Sequence, residues 1–133
     1  SSGHNRWSVH SMNHFNRLVL GTHRGSPSVM VNPDDARVRG VKDDDLVRIF
    51  NDLSEFHARV KVAPNVKPGQ IVSYNGWEPM QYRNWSGANE IEPGMVKWLG
   101  FSGGYGHIKY NMLNWQPVPA DRWVRCDFEV ASE

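Results

Sequence analysis

The sequence has one cysteine, Cys126, in 133 residues, and it lacks any apolar run near the ~20 residues that a membrane-spanning helix needs. A single cysteine excludes an internal disulfide and any zinc or iron–sulfur site built from several cysteines, and we expect it to pack in the core. The missing apolar run argues against direct membrane insertion. The first residues do not resemble a signal peptide, so we expect the sequence to begin within a longer chain.

The charge balance lacks a dominant sign. Lysine and arginine together number 15, aspartate and glutamate 14, and the formal net charge is +1 at pH 7. Nucleic acids and anionic membranes are bound by basic surfaces, which a chain this balanced does not offer. We therefore expect no nucleic-acid partner, and any anion that the protein binds must be held by local groups.

Loop-shaping residues are abundant, with 6 tryptophans, 12 glycines and 8 prolines. This composition is unusual for a helical bundle and indicates a β-rich domain with long loops. The length fits one domain, residues 1–133. On folding, a domain of this length buries roughly 60% or more of the surface that the unfolded chain exposes.

The most strongly patterned segment predicts a helix, a tight turn and a strand in succession. Asn32 can cap a helix whose first position suits Pro33, and Gly40 ends that helix. In the turn that follows, Asp44 stands where the backbone needs a positive φ. The apolar run Leu46–Phe50 then predicts a buried strand.

Four further strands are predicted around this unit. Ser28–Val31 leads into the helix, residues 56–62 alternate apolar and polar side chains, and residues 70–74 resume extended structure after a Pro-Gly break. Residues 123–130 close the domain with alternate apolar residues on one face. The sequence therefore predicts β-structure from both halves of the chain.

Between Tyr74 and Pro119 the sequence shows no sustained period of either kind. Loops longer than ~15 residues are uncommon in compact domains unless they are functional or disordered. This segment is too aromatic for disorder, and we expect it to pack over a ligand and neighbouring protein, or else across one end of the β-domain. The aromatic residues are Trp77, Tyr82, Trp85, Trp98, Phe101, Tyr105, Tyr110 and Trp115.

Residues 4–16 form a dense set of hydrogen-bond donors around one tryptophan. No cysteine or nearby carboxylate joins the histidines, so a metal site is disfavoured. The set suits a ligand with many acceptors, such as a pyrophosphate, and the alternative is an unstructured lead-in. Its main members are His4, Arg6, Trp7, His10, Ser11 and Asn16.

Five motifs, in order, resemble the C-terminal dinucleotide-binding domain of molybdopterin oxidoreductases of the dimethyl sulfoxide reductase family. The resemblance is to nitrate reductase, ethylbenzene dehydrogenase and steroid C25 dehydrogenase catalytic subunits in particular. The motifs are HNRWSVHS from residue 4, RGSP from residue 24, NPDDARVRGVKDDDLVR from residue 32, VKPGQIVSYNGWEPMQ from residue 66 and SGGYGH from residue 102.

The resemblance implies a mainly β fold, a six-stranded double-psi β-barrel with short helices and a long aromatic-rich loop segment. It also implies that the domain binds part of a bis-molybdopterin guanine dinucleotide cofactor with molybdenum, and that it supplies neither catalytic residues nor metal ligands. The cofactor-binding residues carried over by position are His4, Arg6, Trp7, His10, Ser11, Asn16, Asn75, Gly76, Asn89, Tyr105 and His107.

Two positions depart from the family pattern. Asp44 replaces the usual turn glycine, which a short polar side chain tolerates. Asn75 stands where nitrate reductases carry histidine, and an amide cannot change charge between pH 5 and 8 as histidine can. A proton-relay role at this position is therefore in doubt.

The resemblance further implies a partial enzyme that has no turnover alone. Its partners would be the remaining domains of a catalytic subunit, an iron–sulfur subunit with its clusters and, in several relatives, a haem subunit; the family suggests a periplasmic location. We expect a hydrocarbon or steroid dehydrogenase that hydroxylates with water. The alternatives are an oxyanion (nitrate, chlorate or selenate) reductase and a cradle-loop barrel that serves as a protein-interaction module.

Overall fold

A computed structural model of the chain describes residues 2–3, 15–92 and 124–131. Of the elements described, the strands are β1 Ser2–Gly3, β2 Ser28–Val31, β3 Leu46–Phe50, β4 Glu55–Val62, β5 Ile71–Tyr74 and β6 Asp127–Val130. The helices are α1 Arg17–Thr22 and α2 Pro33–Val38, with short 3₁₀ helices at Pro79–Gln81, Arg83–Trp85 and Ala88–Ile91. Neither α-helix in these ranges has the length and apolar character of a membrane span.

The strands form one mixed sheet in the order β1-β5-β2-β4-β3-β6. β2 lies between two neighbours: it runs parallel to β4, with Val29 opposite Val60, and antiparallel to β5, with Val29 opposite Ser73. β3 pairs antiparallel with both β4 and β6. The architecture is mainly β, as expected, but these pairings leave β1 and β6 as edges, and closure into a six-stranded double-psi barrel is not confirmed.

The predicted helix, turn and strand are confirmed. The Asn32 side chain accepts a hydrogen bond of 2.8 Å from the N–H of Asp34, and its amide donates to the carbonyl of Val66 at 2.7 Å. Gly40 ends α2 with a φ of 67°, in the left-handed region. Asn32 is 8% exposed, so it caps the helix and joins it to the loop before β5 from a buried position.

The turn before β3 is held against β4 by aspartate side chains and backbone. Asp44 has a φ of 72°, as its replacement of a turn glycine predicted, and its N–H donates to the carbonyl of Val60 at 2.8 Å. The Asp43 carboxylate accepts from the N–H of Val62 at 2.8 Å and pairs with Arg24 at 2.9 Å. The hydrogen bond from Val62, followed by Arg24, lowers the pKa of Asp43, so this anion is part of the turn.

The main core lies on one face of the central strands, and Met30, Ala63 and Val66 form a second, smaller cluster. The alternation predicted for residues 56–62 is confirmed at Phe56, Ala58 and Val60, which are buried. The buried strand predicted at Leu46–Phe50 is a strand with these bounds, but it is buried on one face only, at Val47 and Ile49. The other face of β3 is partly exposed and mixed in character, because Leu46 and Phe50 share it with Arg48, which pairs with Glu55 and Glu129 on the two neighbouring strands at 2.5 and 2.8 Å.

The C-terminal strand is shorter than the sequence predicted. It covers Asp127–Val130 rather than residues 123–130, and of its apolar residues Phe128 is buried while Val130 is 50% exposed. Cys126 is half-buried against the core. Arg39 pairs with Asp127 at 2.7 Å and lies over the Phe128 ring at 5.5 Å, so the end of α2 fixes this edge strand.

Replacing Asn32 by alanine removes both the helix cap and the donor to a buried carbonyl. We expect the free energy of unfolding to fall by about 1–3 kcal/mol. Urea denaturation measures this change. The matched control is Asn65→Ala at an exposed position, which should change the free energy by less than about 0.5 kcal/mol. Equal losses in the two variants would contradict the role of the Asn32 side chain.

Candidate functional site

A cavity of about 170 Å³ lies between the core-facing side of the sheet and residues 75–92. We name residues 75–92 the cover loop. The apolar wall of the cavity comes from the sheet and from aromatic side chains, and its polar wall comes almost entirely from the cover loop. The apolar wall includes Ile49, Phe56, Trp77, Tyr82 and Ile91. The polar wall includes Ser73, Asn75, Asn89, Glu90 and Glu92.

The cover loop is held on the β3–β4 hairpin by two hydrogen bonds that bridge loop and hairpin. The Asn51 amide donates to the carbonyl of Ile91 at 2.8 Å, while its oxygen accepts from the hairpin N–H groups of Leu53 and Ser54. The Ser86 hydroxyl donates to the carbonyl of Glu55 at 2.5 Å. These bonds fix the residues that form the polar wall.

Tyr82 anchors the middle of the cover loop in the core. It is 8% exposed and packs edge-on against Phe56, with ring centroids 5.9 Å apart at 86°. Burial raises the pKa of Tyr82 to about 12, and a backbone hydrogen bond with Ala88 acts in the opposite direction. A Cβ placed on Gly87 would lie 3.1 Å from the Tyr82 ring, a tight contact that the ring could accept only by moving a few tenths of an ångström.

The aromatic residues of the cover loop divide into packed and exposed groups. Trp77 and Tyr82 pack with the core, as expected of an ordered segment. Trp85 is 70% exposed, and both it and Asn84 have positive φ, 60° and 58°, which non-glycine residues adopt at a cost. The aromatic residues of this segment from Trp98 onward lie outside the described residues.

Three of the residues expected to bind a cofactor come together. Asn75 and Gly76, which follow β5, line the cavity with Asn89, which lies in the 3₁₀ helix Ala88–Ile91. Gly76 has a φ of 96°, which only glycine adopts readily, and this turns the chain from β5 into the cover loop.

Asn16 does not line this cavity. Its side-chain oxygen accepts from the N–H groups of Leu18 and Val19 at 3.0 and 3.4 Å, so it caps α1, a helix that the sequence analysis did not predict. Its cofactor role stays a prediction. The remaining expected residues, His4, Arg6, Trp7, His10, Ser11, Tyr105 and His107, lie outside the described residues.

β1 places the beginning of the chain beside the cover loop. It pairs in parallel with β5, with Gly3 opposite Tyr74. Because parallel strands run in the same direction, the chain leaves Gly3 at the end of the sheet where β5 gives way to Asn75. Gly3, the last described residue before the donor-rich segment of the sequence, thus lies at the end of the sheet next to the cavity.

Three positions that line or support the cavity were not predicted from the sequence. Glu90 and Glu92 line it beside Asn89, the residue that was expected there. Asn51, which positions the loop, was not expected either. The Asn-x-x-Ser spacing of residues 51–54 signals a side-chain-capped turn, but nothing local indicates that the Asn51 amide reaches Ile91.

The described residues that line the cavity are apolar and aromatic on one side and polar on the other. Apolar and aromatic side chains face amides and carboxylates, and none of these lining residues carries a positive charge. The volume is below the ~300 Å³ at which pockets for whole small molecules begin, so only part of a larger ligand fits. No group of three metal-ligating side chains occurs in the described ranges.

Comparison with protein families identifies the sequence. Residues 1–101 match the family described as "Molydopterin dinucleotide binding domain". Chlorate reductase subunit alpha of Ideonella dechloratans is 39% identical over 117 residues, 88% of this chain and 13% of that protein. Dimethylsulfide dehydrogenase subunit alpha of Rhodovulum sulfidophilum is 36% identical over 130 residues, 98% of this chain and 14% of that protein.

More distant relatives extend the comparison. Respiratory nitrate reductase subunit alpha of Haloferax mediterranei is 32% identical over 134 residues, 96% of this chain and 13% of that protein. The chain thus spans 13–14% of the length of these three relatives. Acetylene hydratase from Pelobacter acetylenicus has a similar fold, with a TM-score of 0.50 at 15% identity over 58% of this chain and 11% of that chain.

Replacing Gly87 by alanine should force the cover loop away from the core. The new methyl group meets a Tyr82 ring that is already packed on Phe56, and overpacking of this kind costs about 1–3 kcal/mol. Urea denaturation measures the loss. In the control, Gly21→Ala in α1, the methyl group meets nothing within 4 Å, and the free energy of unfolding should stay unchanged or rise. A stable Gly87→Ala chain would contradict the close packing.

The raised pKa of Tyr82 predicts a loss of stability at high pH. Tyrosine in the unfolded chain ionises at about 10, whereas Tyr82 in the folded chain holds its proton to about 12. The unfolded state therefore releases a proton first, and the free energy of unfolding falls between these pH values, by on the order of 2 kcal/mol. Tyr82→Phe should show a shallower fall in urea titrations from pH 9 to pH 12. Equal slopes for the two proteins would contradict the burial of the phenol.

Proposed function

The chain belongs to the molybdopterin dinucleotide-binding domain family of dimethyl sulfoxide reductase-type molybdenum oxidoreductases, and from that premise we propose that it covers part of a bis-molybdopterin guanine dinucleotide. One observation carries the proposal. Asn75, Gly76 and Asn89, selected from two separate motifs, line the same cavity beside the point where the donor-rich arm begins. Residues that cover the same ligand must line the same cavity.

The cofactor would meet two kinds of surface in this domain. The cavity offers amides and a flat apolar slot, while the arm that follows Gly3 carries the cationic and donor side chains His4, Arg6 and His10. Arginine suits a pyrophosphate because its planar fork donates two parallel hydrogen bonds. When bound, such a cofactor supplies the molybdenum at which oxygen and electrons are exchanged with substrate.

The proposed architecture is a double-psi β-barrel. Its support is the parallel β2–β4 pair enclosing the α2, turn and β3 unit, the antiparallel β2–β5 pair and the fold likeness to acetylene hydratase. Closure would require pairing between strands that now form the edges. A barrel would leave the cover loop across one end, where a ligand can be enclosed.

For the whole protein we propose a catalytic subunit in which this domain is one part. The relatives named as alpha subunits are about seven times longer than the matched segment, which is the basis for expecting further domains and an iron–sulfur subunit. We propose that the domain alone has no turnover, because the chain spans only 13–14% of these relatives' length.

Two reaction classes are compatible with this assignment. The HNRWSVHS arm favours a hydrocarbon or steroid dehydrogenase that hydroxylates with water, whereas the identity to chlorate and nitrate reductases favours reduction of an oxyanion. The full-length enzyme assayed with chlorate and nitrate under a reduced dye, and with hydrocarbons or steroids under an oxidised dye, distinguishes them. The alternative of a protein-interaction module is disfavoured, because the family that the chain matches is described by dinucleotide binding.

Replacing His10 or Arg6 by alanine in the full-length protein should lower cofactor content. Both residues follow Gly3 in the sequence, and each replacement would remove a proposed donor to the anionic or pterin part of the ligand. Molybdenum by elemental analysis and guanine nucleotide released by acid measure the content.

The control for these variants is Arg37→Ala, which removes an exposed arginine paired within α2 at 2.7 Å. It should leave cofactor content unchanged. Wild-type molybdenum and guanine nucleotide in the His10 and Arg6 variants, together with unchanged activity, would argue against the proposed arm contacts.

A further inference from the structure

We propose that Asn75 is a site of spontaneous deamidation, and that the reaction places a new carboxylate in the polar wall of the cavity. The site is the Asn75-Gly76 pair, which begins the cover loop directly after β5. The modification itself is independent of the proposed function. Its consequence for a ligand rests on that function, because it concerns how an anionic cofactor meets the modified wall.

Asparagine loses its amide by reaction with its own backbone. The nitrogen of the next residue attacks the side-chain carbonyl carbon, a succinimide ring forms, and the side-chain amide nitrogen leaves as ammonia. Water then adds to one of the two ring carbonyls and opens the ring. One opening gives aspartate, and the other gives isoaspartate, in which the main chain runs through the side-chain carbons. The net change is hydrolysis of an amide to a carboxylate and ammonium, with water as the co-reactant.

The residue that follows the asparagine controls the first step. A side chain at that residue hinders the approach of its backbone nitrogen, whereas glycine leaves the approach open and adopts conformations that other residues avoid. Of the asparagines in the sequence, only Asn75 is followed by glycine. Gly76 has a φ of 96°, so the chain here already depends on the conformational freedom of glycine.

The backbone of this pair lies outside the regular elements. β5 ends at Tyr74, and Asn75 and Gly76 belong to neither a helix nor a strand. Among the described strands, the pairing of β1 with β5 ends at Gly3 opposite Tyr74, one residue before Asn75. Rotation of the main chain at Asn75 toward the reactive geometry therefore breaks no strand pair in this part of the structure.

The cavity gives water access to the pair. Asn75 and Gly76 both line the cavity, and both are half-buried. The cavity volume of about 170 Å³ is far above the roughly 15 Å³ that one water molecule needs. Its polar wall offers hydrogen-bond partners to water, so the hydrolysis step and the departure of ammonia both have a route.

The product changes the charge of the cavity wall. Glu90 already lines the polar wall, and none of the described lining residues is lysine, arginine or histidine. An additional carboxylate in a partly desolvated wall raises the free-energy cost of placing an anion nearby. Isoaspartate also lengthens the main chain between β5 and the cover loop by one methylene group. Both products should therefore weaken the binding of an anionic ligand at this end of the sheet.

Mass spectrometry of the full-length protein tests the modification. The folded protein is incubated at pH 7 and at pH 9, then digested with trypsin under mildly acidic conditions that suppress deamidation during handling. One peptide, residues 62–83, contains both Asn65 and Asn75, because trypsin does not cleave after a lysine that precedes proline. Asn65 is the internal control, since it is more exposed than Asn75 but is followed by Val66.

We expect Asn75 to be converted severalfold faster than Asn65 and to yield both aspartate and isoaspartate. The conversion should be faster at pH 9 than at pH 7, because the attacking backbone nitrogen must lose its proton. In Asn75→Gln the side chain at this position should keep its amide, since glutamine needs a larger ring that forms much more slowly. Equal persistence of Asn65 and Asn75 in the wild-type protein would overturn the proposal.

The consequence for the ligand is measured in full-length Asn75→Asp. The control is Asn65→Asp, which adds the same charge at an exposed position outside the cavity lining. Molybdenum and acid-released guanine nucleotide should fall in Asn75→Asp, by more than in the uncharged Asn75→Gln, and stay at the wild-type level in the control. Wild-type content in Asn75→Asp would overturn the charge effect. If the proposed function fails instead, even unmodified wild-type protein contains neither molybdenum nor guanine nucleotide, whatever happens at Asn75.

Discussion

The hydrogen bond from the Asn51 amide to the Ile91 carbonyl joins the hairpin of the sheet to the loop that forms the polar wall of the cavity. The same side chain closes the hairpin turn through its oxygen, so one residue couples the two structures. Residues 76–92 pair with no strand, and their position depends on this bond, on Ser86 and on the buried ring of Tyr82. Without these contacts the polar wall would have no fixed distance from the apolar one.

Local signals predicted the helix, turn and strand around Asn32 and Asp44, because caps, left-handed turn positions and alternation are each encoded within a few residues. The order of strands was not predictable in this way, since β2 lies between β4 and β5, which both follow it in sequence. The site divides similarly. Asn75, Gly76 and Asn89 were predicted from the family resemblance, whereas Glu90 was not, because nothing local in the sequence indicates that it lines the same cavity.

The near-neutral net charge of the chain agrees with the pairing of its arginines with carboxylates on the sheet. Arg48 bridges Glu55 and Glu129 across three strands, and Arg39 fixes β6 through Asp127. Exposed ion pairs such as these contribute little to the free energy of folding. They do, however, neutralise the arginines that form them. A ligand as anionic as a dinucleotide must then be bound by a few specific groups, which is why the arm after Gly3 carries so much of the proposed function.

The position of β2 sets the order in which the sheet can assemble. The β3–β4 hairpin closes over a short turn, but the parallel β2–β4 pair must enclose α2 and β3, and β5 must reach the opposite side of β2. Loop closure on this scale costs chain entropy before the contacts compensate for it. We therefore expect the pairing of β2 with β4 and β5 to form later than the hairpin, and the cavity, which needs both, to form after it.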